Sequence, residues 1–205
     1  DVTDPRKQFT VAQYKKLVEE KIKKIEFPIV VGGTGFYIDA LTGAISLPDV
    51  PPNKKLREKL NRKSAPELFK ILKKKDWRRA RTIDQHNKVR LIRALEIIKA
   101  LGHVPVKRGR QASTKFVFIG LKPDDLKSRI EKRVKIMFKH GLLREIGRLK
   151  KSGVSNKRLK ELGFEYWNPI LESVMRDSNR YAKRQMTWFR RNKKIKWFRP
   201  EELKE

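Results

Sequence analysis

The chain has 205 residues, enough for one or two domains, and carries 53 Lys and Arg against 23 Asp and Glu, a formal net charge of +30. Such a charge attracts polyanions, so the expected partner is nucleic acid or an anionic membrane surface. A lysine-rich proteome is the alternative explanation for the excess positive charge. Cysteine is absent, which excludes disulfide frameworks, cysteine-bound metals and thiol nucleophiles and fits a cytoplasmic setting. No apolar run approaches the ~18 residues of a membrane span, and the three histidines lack metal-ligand spacing. We therefore expect no membrane insertion and no protein metal site.

The N-terminal part predicts a helix, a buried strand and a glycine-rich loop. Thr10 and Gln13 form a capping box, and apolar residues follow at helical spacing. Residues 27–31 are a continuous apolar run, which is typical of a buried parallel strand. The sequence Gly-Gly-Thr-Gly at residues 32–35 then opens another helix, at the edge where open α/β sheets bind ligands.

The middle of the chain predicts an inserted helical module. Prolines at 48, 51 and 52 break the chain, Ser64 and Glu67 form a second capping box, and an apolar helical stripe stops at Gly102. We interpret residues 107–114 as a polar return linker. No strand pattern interrupts this module.

The last part predicts a second strand at residues 116–121 and a long helix after Pro123 and Asp124. Strands alternating with helices predict an α/β fold, a parallel-sheet core flanked by helices with an all-helical insertion domain. We expect residues 1–47 to form the first part of the core and residues 48–112 the helical insertion domain. Residues 113–205 then complete the core with basic C-terminal helices.

Three features carry candidate chemistry. The glycines of residues 32–35 let the backbone approach a phosphate, and the Thr34 hydroxyl adds a directed hydrogen bond. A tight turn that binds no ligand is the alternative. The loop is not a Walker A motif, because it does not end in Lys-Ser or Lys-Thr. Arg129 and Arg133 share one helix face, where a diphosphate would relieve their repulsion, unless they pair with Glu131 or Asp125. Residues 176–199 hold ten cations and one acid among aromatic residues, a pattern suited to RNA, although core packing is favoured for the aromatic pair at 188–189.

Five blocks in fixed order resemble the tRNA dimethylallyltransferases, the isopentenyl-diphosphate:tRNA transferase family. They lie at residues 28–37, 87–96, 129–142, 162–165 and 180–190. The resemblance extends from Asp1 to about Arg199 and implies a P-loop NTPase-like core. It also implies transfer of a dimethylallyl group from dimethylallyl diphosphate to N6 of adenine 37, beside the anticodon, in tRNAs that read codons beginning with U.

The resemblance also implies residue roles. Thr34 lies at the reaction channel, and five residues face the diphosphate: Gly32, Gly33, Gly35, Arg129 and Arg133. The tRNA anticodon stem-loop would be bound by a set spread over the insertion and the C-terminal third: Arg57, Val89, Arg90, Leu91, Ile92, Arg93, Arg158, Gly163, Phe164, Lys183, Arg184, Gln185 and Arg190. We expect Mg²⁺ to bridge the diphosphate oxygens and the protein to act as a monomer.

Two parts of the family pattern have no counterpart in these residues. They are a glycine-rich P-loop ending in Lys-Ser/Thr and an Asp-Ser-x-Gln segment whose Asp is the expected general base. We expect both upstream of Asp1, and we expect this chain alone to transfer no prenyl group. Two alternatives stay open: an adenylate isopentenyltransferase, which needs neither insertion nor basic C-terminal helix, and a non-catalytic RNA-binding relative.

Overall fold

The computed structural model describes residues 2–105 and 116–203. The last element in chain order is a short 3₁₀ helix at Pro200–Leu203. The elements are α1 (Val11–Ile22), α2 (Gly35–Leu41), α3 (Lys54–Asn61), α4 (Ala65–Lys75), α5 (Trp77–Ala80), α6 (Lys88–Leu101), β1 (Phe118–Leu121), α7 (Leu126–Lys139), α8 (Leu142–Lys151), α9 (Asn156–Leu162), α10 (Phe164–Trp167), α11 (Leu171–Phe189) and β2 (Ile195–Phe198).

The chain forms two compact units. Asp1–Thr42 and Gln111–Glu205 make one, which we call the core unit, and Gly43–Arg110 make the other, the insert unit. The first division falls five residues before the expected one at 47/48. The second expected boundary and the linker at residues 107–114 lie outside the described residues, so the domain boundaries stay a prediction.

The insert unit is a small helical bundle around α6. The Ser64 capping box forms as predicted, with the Ser64 hydroxyl accepting from the Glu67 amide and the Glu67 carboxylate accepting from the Ser64 amide. Helix α6 ends at Gly102, whose φ of +78° is a left-handed conformation that favours glycine. Its apolar stripe packs against α3 and α4, and the most deeply buried leucines are Leu68, Leu72 and Leu91.

A buried carboxylate ties the insert unit together. Glu96 of α6 is 2% exposed. It accepts hydrogen bonds from the Asn53 amide, from the Arg57 guanidinium at 2.9 Å and from Arg93, which also donates to the Val50 carbonyl. Burial by itself would raise the pKa of Glu96, but these donors outweigh it and hold the pKa at about 2, below its usual 4.5. The carboxylate therefore joins the segment before α3 and α3 itself to α6.

Of the two strands that the sequence predicts, only the second forms in the described part of the core unit, as β1. Strand β1 pairs in parallel with β2, in a register that aligns Phe118 with Ile195 and Leu121 with Phe198. Gly120 makes this close pairing possible, because a Cβ there would lie 2.6 Å from the Trp197 ring. Strand β2 was missed in the sequence, since its four residues lie inside the basic segment that we interpreted as helix and RNA-binding surface.

The strand predicted at residues 27–31 is wrong for the described part of the chain. No strand forms there, and Phe27, Ile29 and Val31 are 80%, 88% and 89% exposed. A strand needs a neighbour to complete its backbone hydrogen bonds, and within the described residues β1 and β2 pair only with each other. Apolar composition alone therefore does not make this segment a strand.

Helices surround the rest of the core unit. The α1 capping box at Thr10 forms as predicted, and Tyr14 of α1 stacks on Tyr37 of α2 with ring centroids 4.7 Å apart. Helix α7 packs on α11 through Ile130, Val134 and Val174. A second apolar cluster joins α8 and α9. None of the helices in residues 2–105 and 116–203 is long and apolar enough to cross a membrane.

Replacing the buried carboxylate tests what holds the insert unit. We expect Glu96→Gln to lower the free energy of unfolding at neutral pH by about 2–4 kcal/mol, because two arginines lose their charged partner. The native pKa lies below the ordinary value, so the wild-type advantage is complete above pH 4.5 and disappears as the pH falls toward about 2. Urea unfolding at several pH values measures both effects.

The matched control is Glu58→Gln, which changes an exposed carboxylate of α3 in the same unit. It should change the unfolding free energy by less than about 0.5 kcal/mol. A Glu96→Gln protein as stable as the Glu58→Gln protein would contradict the role given to Glu96.

Candidate active site and nucleic-acid interface

The glycine-rich loop at residues 32–35 presents Thr34 to solvent. Thr34 is the N-cap residue of α2, yet its side chain makes no capping hydrogen bond and is exposed. Its backbone carbonyl already accepts from the Tyr37 and Ile38 amides, which starts α2. The hydroxyl is thus not required by the local fold and is available to a bound substrate.

Helix α11 holds this loop and the helix that follows it through two side-chain hydrogen bonds. The Gln185 side-chain amide donates to the Gly33 carbonyl at 2.9 Å, and the Trp188 indole N–H donates to the Asp39 carboxylate at 3.0 Å. A Cβ on Gly33 would lie 1.8 Å from Gln185 Nε2, and one on Gly35 would lie 2.2 Å from the Trp188 ring. Gly35 is therefore needed for the approach of the rigid Trp188 ring, whereas a side chain at position 33 would displace the end of the flexible Gln185 side chain.

This contact bears on two expected roles, which stay predictions. Gly33 and Gly35 were expected to admit a diphosphate, but their Cα hydrogens face α11, and Gly32 is the loop glycine with open space around it. Gln185 was expected to bind tRNA, but its side-chain amide is engaged with the loop. Trp188 packs and donates inside the core unit, as the core-packing interpretation predicts.

The two arginines of α7 have different surroundings. Arg129 donates to Asp125 at 2.6 Å and to Glu201 at 3.2 Å, and the hydrogen bond with Asp125 raises the pKa of Arg129. Arg133 is exposed and has no ion pair within residues 2–105 and 116–203, since Glu131 pairs with Lys135 instead. The alternative of an Asp125 pair holds for Arg129 alone. Arg133 is the arginine of this pair that is free to meet an anion.

The insert-unit candidates separate into packed and exposed side chains. Leu91 and Ile92 are 0% and 6% exposed and their side chains belong to the apolar core, so the tRNA contact expected of them stays a prediction that their side chains do not support. Arg57 and Arg93 are engaged with Glu96. The exposed candidates are Val89, at 78%, and Arg90.

Arg158 is engaged in holding the N-terminal segment. Its guanidinium, 16% exposed, donates to the Pro5 carbonyl at 2.8 Å, to the Lys7 carbonyl and to Glu161 at 3.1 Å. These contacts use the nitrogen atoms that were expected to face tRNA.

The remaining core-unit candidates follow α10 and α11. Phe164 packs against the apolar cluster of α7 and α11, with its ring 6.2 Å from Tyr181, and Gly163 is in extended backbone that any residue adopts. On α11 and at its end, Lys183, Arg184 and Arg190 are exposed. They keep the charge that an RNA backbone requires.

One cationic cluster was missed in the sequence. His140, Arg144, Arg148 and Lys151 border a cleft along α8. The spacing of 144, 148 and 151 places these cations on one helix face and was visible in the sequence. The net charge of the segment does not show this row, because the row depends on which helix face carries the cations.

The arrangement suits anion chemistry more than protein-held metal chemistry. The described residues contain no group of three or more His, Asp or Glu side chains that could hold a metal ion. They do contain an exposed hydroxyl on a loop fixed by α11 and several exposed cations. Such a set can orient an anionic substrate and stabilise charge that develops on it.

Comparison with known proteins gives one consistent family. The chain matches the IPP transferase family over residues 1–192. It is 32% identical over 222 aligned residues to the tRNA dimethylallyltransferase of Syntrophomonas wolfei subsp. wolfei, covering 97% of this chain and 72% of that protein. It is 34% identical to the tRNA dimethylallyltransferase of Anoxybacillus flavithermus, covering 97% of this chain and 70% of that protein.

Solved structures agree. The full-length tRNA isopentenylpyrophosphate transferase of Bacillus halodurans matches with a TM-score of 0.61 and 32% identity over 97% of this chain and 70% of that chain. A eukaryotic dimethylallyltransferase acting on tRNA has a TM-score of 0.71 at 20% identity over 96% of this chain and 58% of that chain, a likeness of fold alone. The fold is the predicted α/β, P-loop NTPase-like fold, here mostly helical with a small parallel sheet. On the family match over residues 1–192 and on relatives above 30% identity, the chain belongs to the IPP transferase family.

Proposed function

We propose that the protein transfers a dimethylallyl group from dimethylallyl diphosphate to N6 of adenine 37, next to the anticodon, in tRNAs that read codons beginning with U. Membership of the IPP transferase family supports this, and the relatives named above carry the name tRNA dimethylallyltransferase. The observation that carries the proposal is the exposed Thr34 hydroxyl, held on a loop that α11 fixes.

The reaction makes specific demands on the site. The C–O bond between the dimethylallyl carbon and the diphosphate breaks, a bond from N6 of adenine to that carbon forms, and N6 loses a proton. Adenine N6 is a weak nucleophile, so the base must leave the loop stack and stand in line with the carbon. Charge builds on the departing diphosphate, and directed donors that are in place beforehand stabilise it.

The described residues meet the demands on the diphosphate and on tRNA binding as follows, and no acceptor for the N6 proton is assigned among them. The Thr34 hydroxyl donates to the diphosphate beside the open face of Gly32, and Arg133 supplies the positive charge. Exposed cations bind the tRNA backbone in each unit: Arg90 in the insert unit, and Lys183, Arg184 and Arg190 in the core unit. Arg57, Arg93 and Arg158 shape these surfaces through their internal hydrogen bonds.

We propose Mg²⁺ as the counter-ion of the diphosphate, bound by its phosphate oxygens. The described residues contain no group of three or more His, Asp or Glu side chains that could hold a metal ion. Bound together with the diphosphate, Mg²⁺ would neutralise part of its negative charge. We also propose that the protein works as a monomer in the cytoplasm. The absence of cysteine supports a reducing compartment.

The molecule that accepts the dimethylallyl group distinguishes the candidate functions. The full-length product of the gene, supplied with dimethylallyl diphosphate and Mg²⁺, should prenylate an anticodon stem-loop with adenine at position 37 and should not prenylate the same RNA with guanine there. Mass spectrometry of the RNA detects one added dimethylallyl group. A free adenine nucleotide as the better acceptor would favour an adenylate isopentenyltransferase, and tight RNA binding without transfer would favour a non-catalytic relative.

Thr34 should act in turnover and not in folding. We expect Thr34→Ala to lower kcat by about 10²-fold, the cost of losing a directed donor to developing charge, while tRNA affinity and thermal stability stay unchanged. Thr34→Ser keeps the hydroxyl and should retain most activity. If the serine variant were as impaired as the alanine variant, the hydroxyl would not be the acting group.

The two α7 arginines should differ. Arg133→Gln should raise the KM for dimethylallyl diphosphate by roughly 10- to 100-fold, as expected for a lost charge-assisted hydrogen bond of about 1.5–3 kcal/mol. Arg129→Gln is the matched control one helical turn away, and it should have a smaller effect because Arg129 is already paired. Steady-state kinetics of both variants measure the KM for dimethylallyl diphosphate. A larger increase in KM for Arg129→Gln than for Arg133→Gln would assign the diphosphate contact to Arg129 instead.

A further inference from the structure

Helix α8 lines a cleft that the proposed function does not use. The cleft has a volume of about 610 Å³. Its lining is polar and cationic, with no carboxylate: His140, Gly141, Arg144, Gly147, Arg148 and Lys151. All of it belongs to the core unit.

The cations of the cleft lie on one face of a strongly amphipathic helix. Leu142 and Ile146 are buried on the opposite side, against Val154 and Leu159. Arg144, Arg148 and Lys151 follow at i, i+4 and i+7, so they form a row that rises by about 10 Å along the helix. The row is exposed over its whole length.

In the described part of the chain, no carboxylate pairs with the cations of this row. Across residues 2–105 and 116–203, His140, Arg144, Arg148 and Lys151 form no ion pair, and Glu145 of the same helix accepts from the Tyr166 hydroxyl. Like charges at i and i+4 repel, which destabilises the isolated helix. The C-terminal cations suit the helix dipole, but Arg144 lies in the first turn, where the dipole disfavours a cation. The row therefore costs stability unless an anion occupies the cleft.

The shape of the cleft also depends on a missing side chain. Gly147 lies on the cationic face between Arg144 and Lys151, and a Cβ there would meet nothing within 4 Å. Glycine inside a helix costs about 0.5–1 kcal/mol relative to alanine, and packing at this position does not require it. What the absent side chain leaves is open depth between the cations.

We propose that this cleft, which we call the α8 cleft, is a second RNA site that binds the phosphodiester backbone of a duplex stem of the tRNA. A row of about 10 Å is long enough to contact neighbouring phosphates of one strand. Arginine and lysine on an exposed helix face bind phosphates without reading bases. The inference rests on the proposed tRNA substrate, and it assigns contacts beyond the reacting nucleotide.

Salt dependence of binding tests this site apart from catalysis. Fluorescence anisotropy with a labelled tRNA, between about 50 and 200 mM salt, should give for Arg144→Gln/Arg148→Gln an affinity about tenfold lower at the low-salt end. The slope of log K against log salt should be smaller by about two. The control, Lys16→Gln/Lys23→Gln, removes the same charge from exposed positions at α1, beside Glu19 and Glu20, and should match wild type.

A second pair of variants isolates charge from shape. Gly147→Glu and Gly147→Gln both add a side chain of similar size in open space, so both should fold with an unfolding temperature at or above that of the wild type. The glutamate variant should bind tRNA at least about threefold more weakly than the glutamine variant, because its carboxylate lies among the cations. Equal binding by the two would overturn the proposal.

The remaining outcomes are distinguishable. Wild-type affinity and slope in the double arginine variant would overturn the α8 cleft, even if the protein prenylates tRNA. A variant that loses inorganic pyrophosphate binding as strongly as tRNA binding would mark a small-anion site and would also overturn it. A protein that prenylates nothing, yet shows the predicted slope changes, would refute the proposed function and leave the RNA site standing.

Discussion

The contact between α11 and the glycine-rich loop is the constraint on which the core unit depends. Gln185 and Trp188, one helical turn apart, donate to Gly33 and Asp39 across two glycines that have no Cβ to block them. This fixes the backbone from which α2 starts and leaves Thr34 exposed. The same helix packs on α7, which carries Arg133. One helix thus supports both groups that the proposed chemistry assigns to the diphosphate.

The large positive charge divides into two functions. Arg57, Arg93 and Arg158 make internal hydrogen bonds that join segments distant in sequence, and Glu96 is the buried acceptor for two of them. Other cations have no such partner in the described residues and are exposed, as on α8 and α11. Net charge therefore indicates the class of partner, while the hydrogen-bond partner of each arginine indicates whether it is available to that partner.

Local signals in the sequence predicted much of the helical structure. The capping boxes at Thr10 and Ser64, the glycine end of α6 and the helix after Asp124 depend on neighbours within a few residues, and all of them form. The strand at 27–31 was predicted from apolar composition, but strand formation depends on a partner far away in sequence. Strand β2 was missed for the same reason, since its partner β1 precedes it by more than seventy residues.

The candidate site was predictable in its location more than in its roles. Family blocks led to the loop, to α7 and to α11, but a block does not say which way a side chain faces. Leu91 and Ile92 lie inside a tRNA-binding block and are buried, and Gln185 contacts the loop. The α8 row resembles no block and was visible only as a helix face. Roles of this kind depend on packing between elements, which a linear pattern does not contain.

The most direct test is a double-mutant cycle between Gln185→Leu and Thr34→Ala, followed by kcat for prenyl transfer and Kd for tRNA. If Gln185 acts by holding the loop that carries Thr34, Gln185→Leu lowers kcat in the wild-type background, has much less effect when Thr34 is already alanine, and leaves Kd unchanged. If Gln185 contacts the RNA instead, Kd rises by the same factor in both backgrounds and kcat stays constant. That result would contradict the role of Gln185 in holding the Thr34 loop.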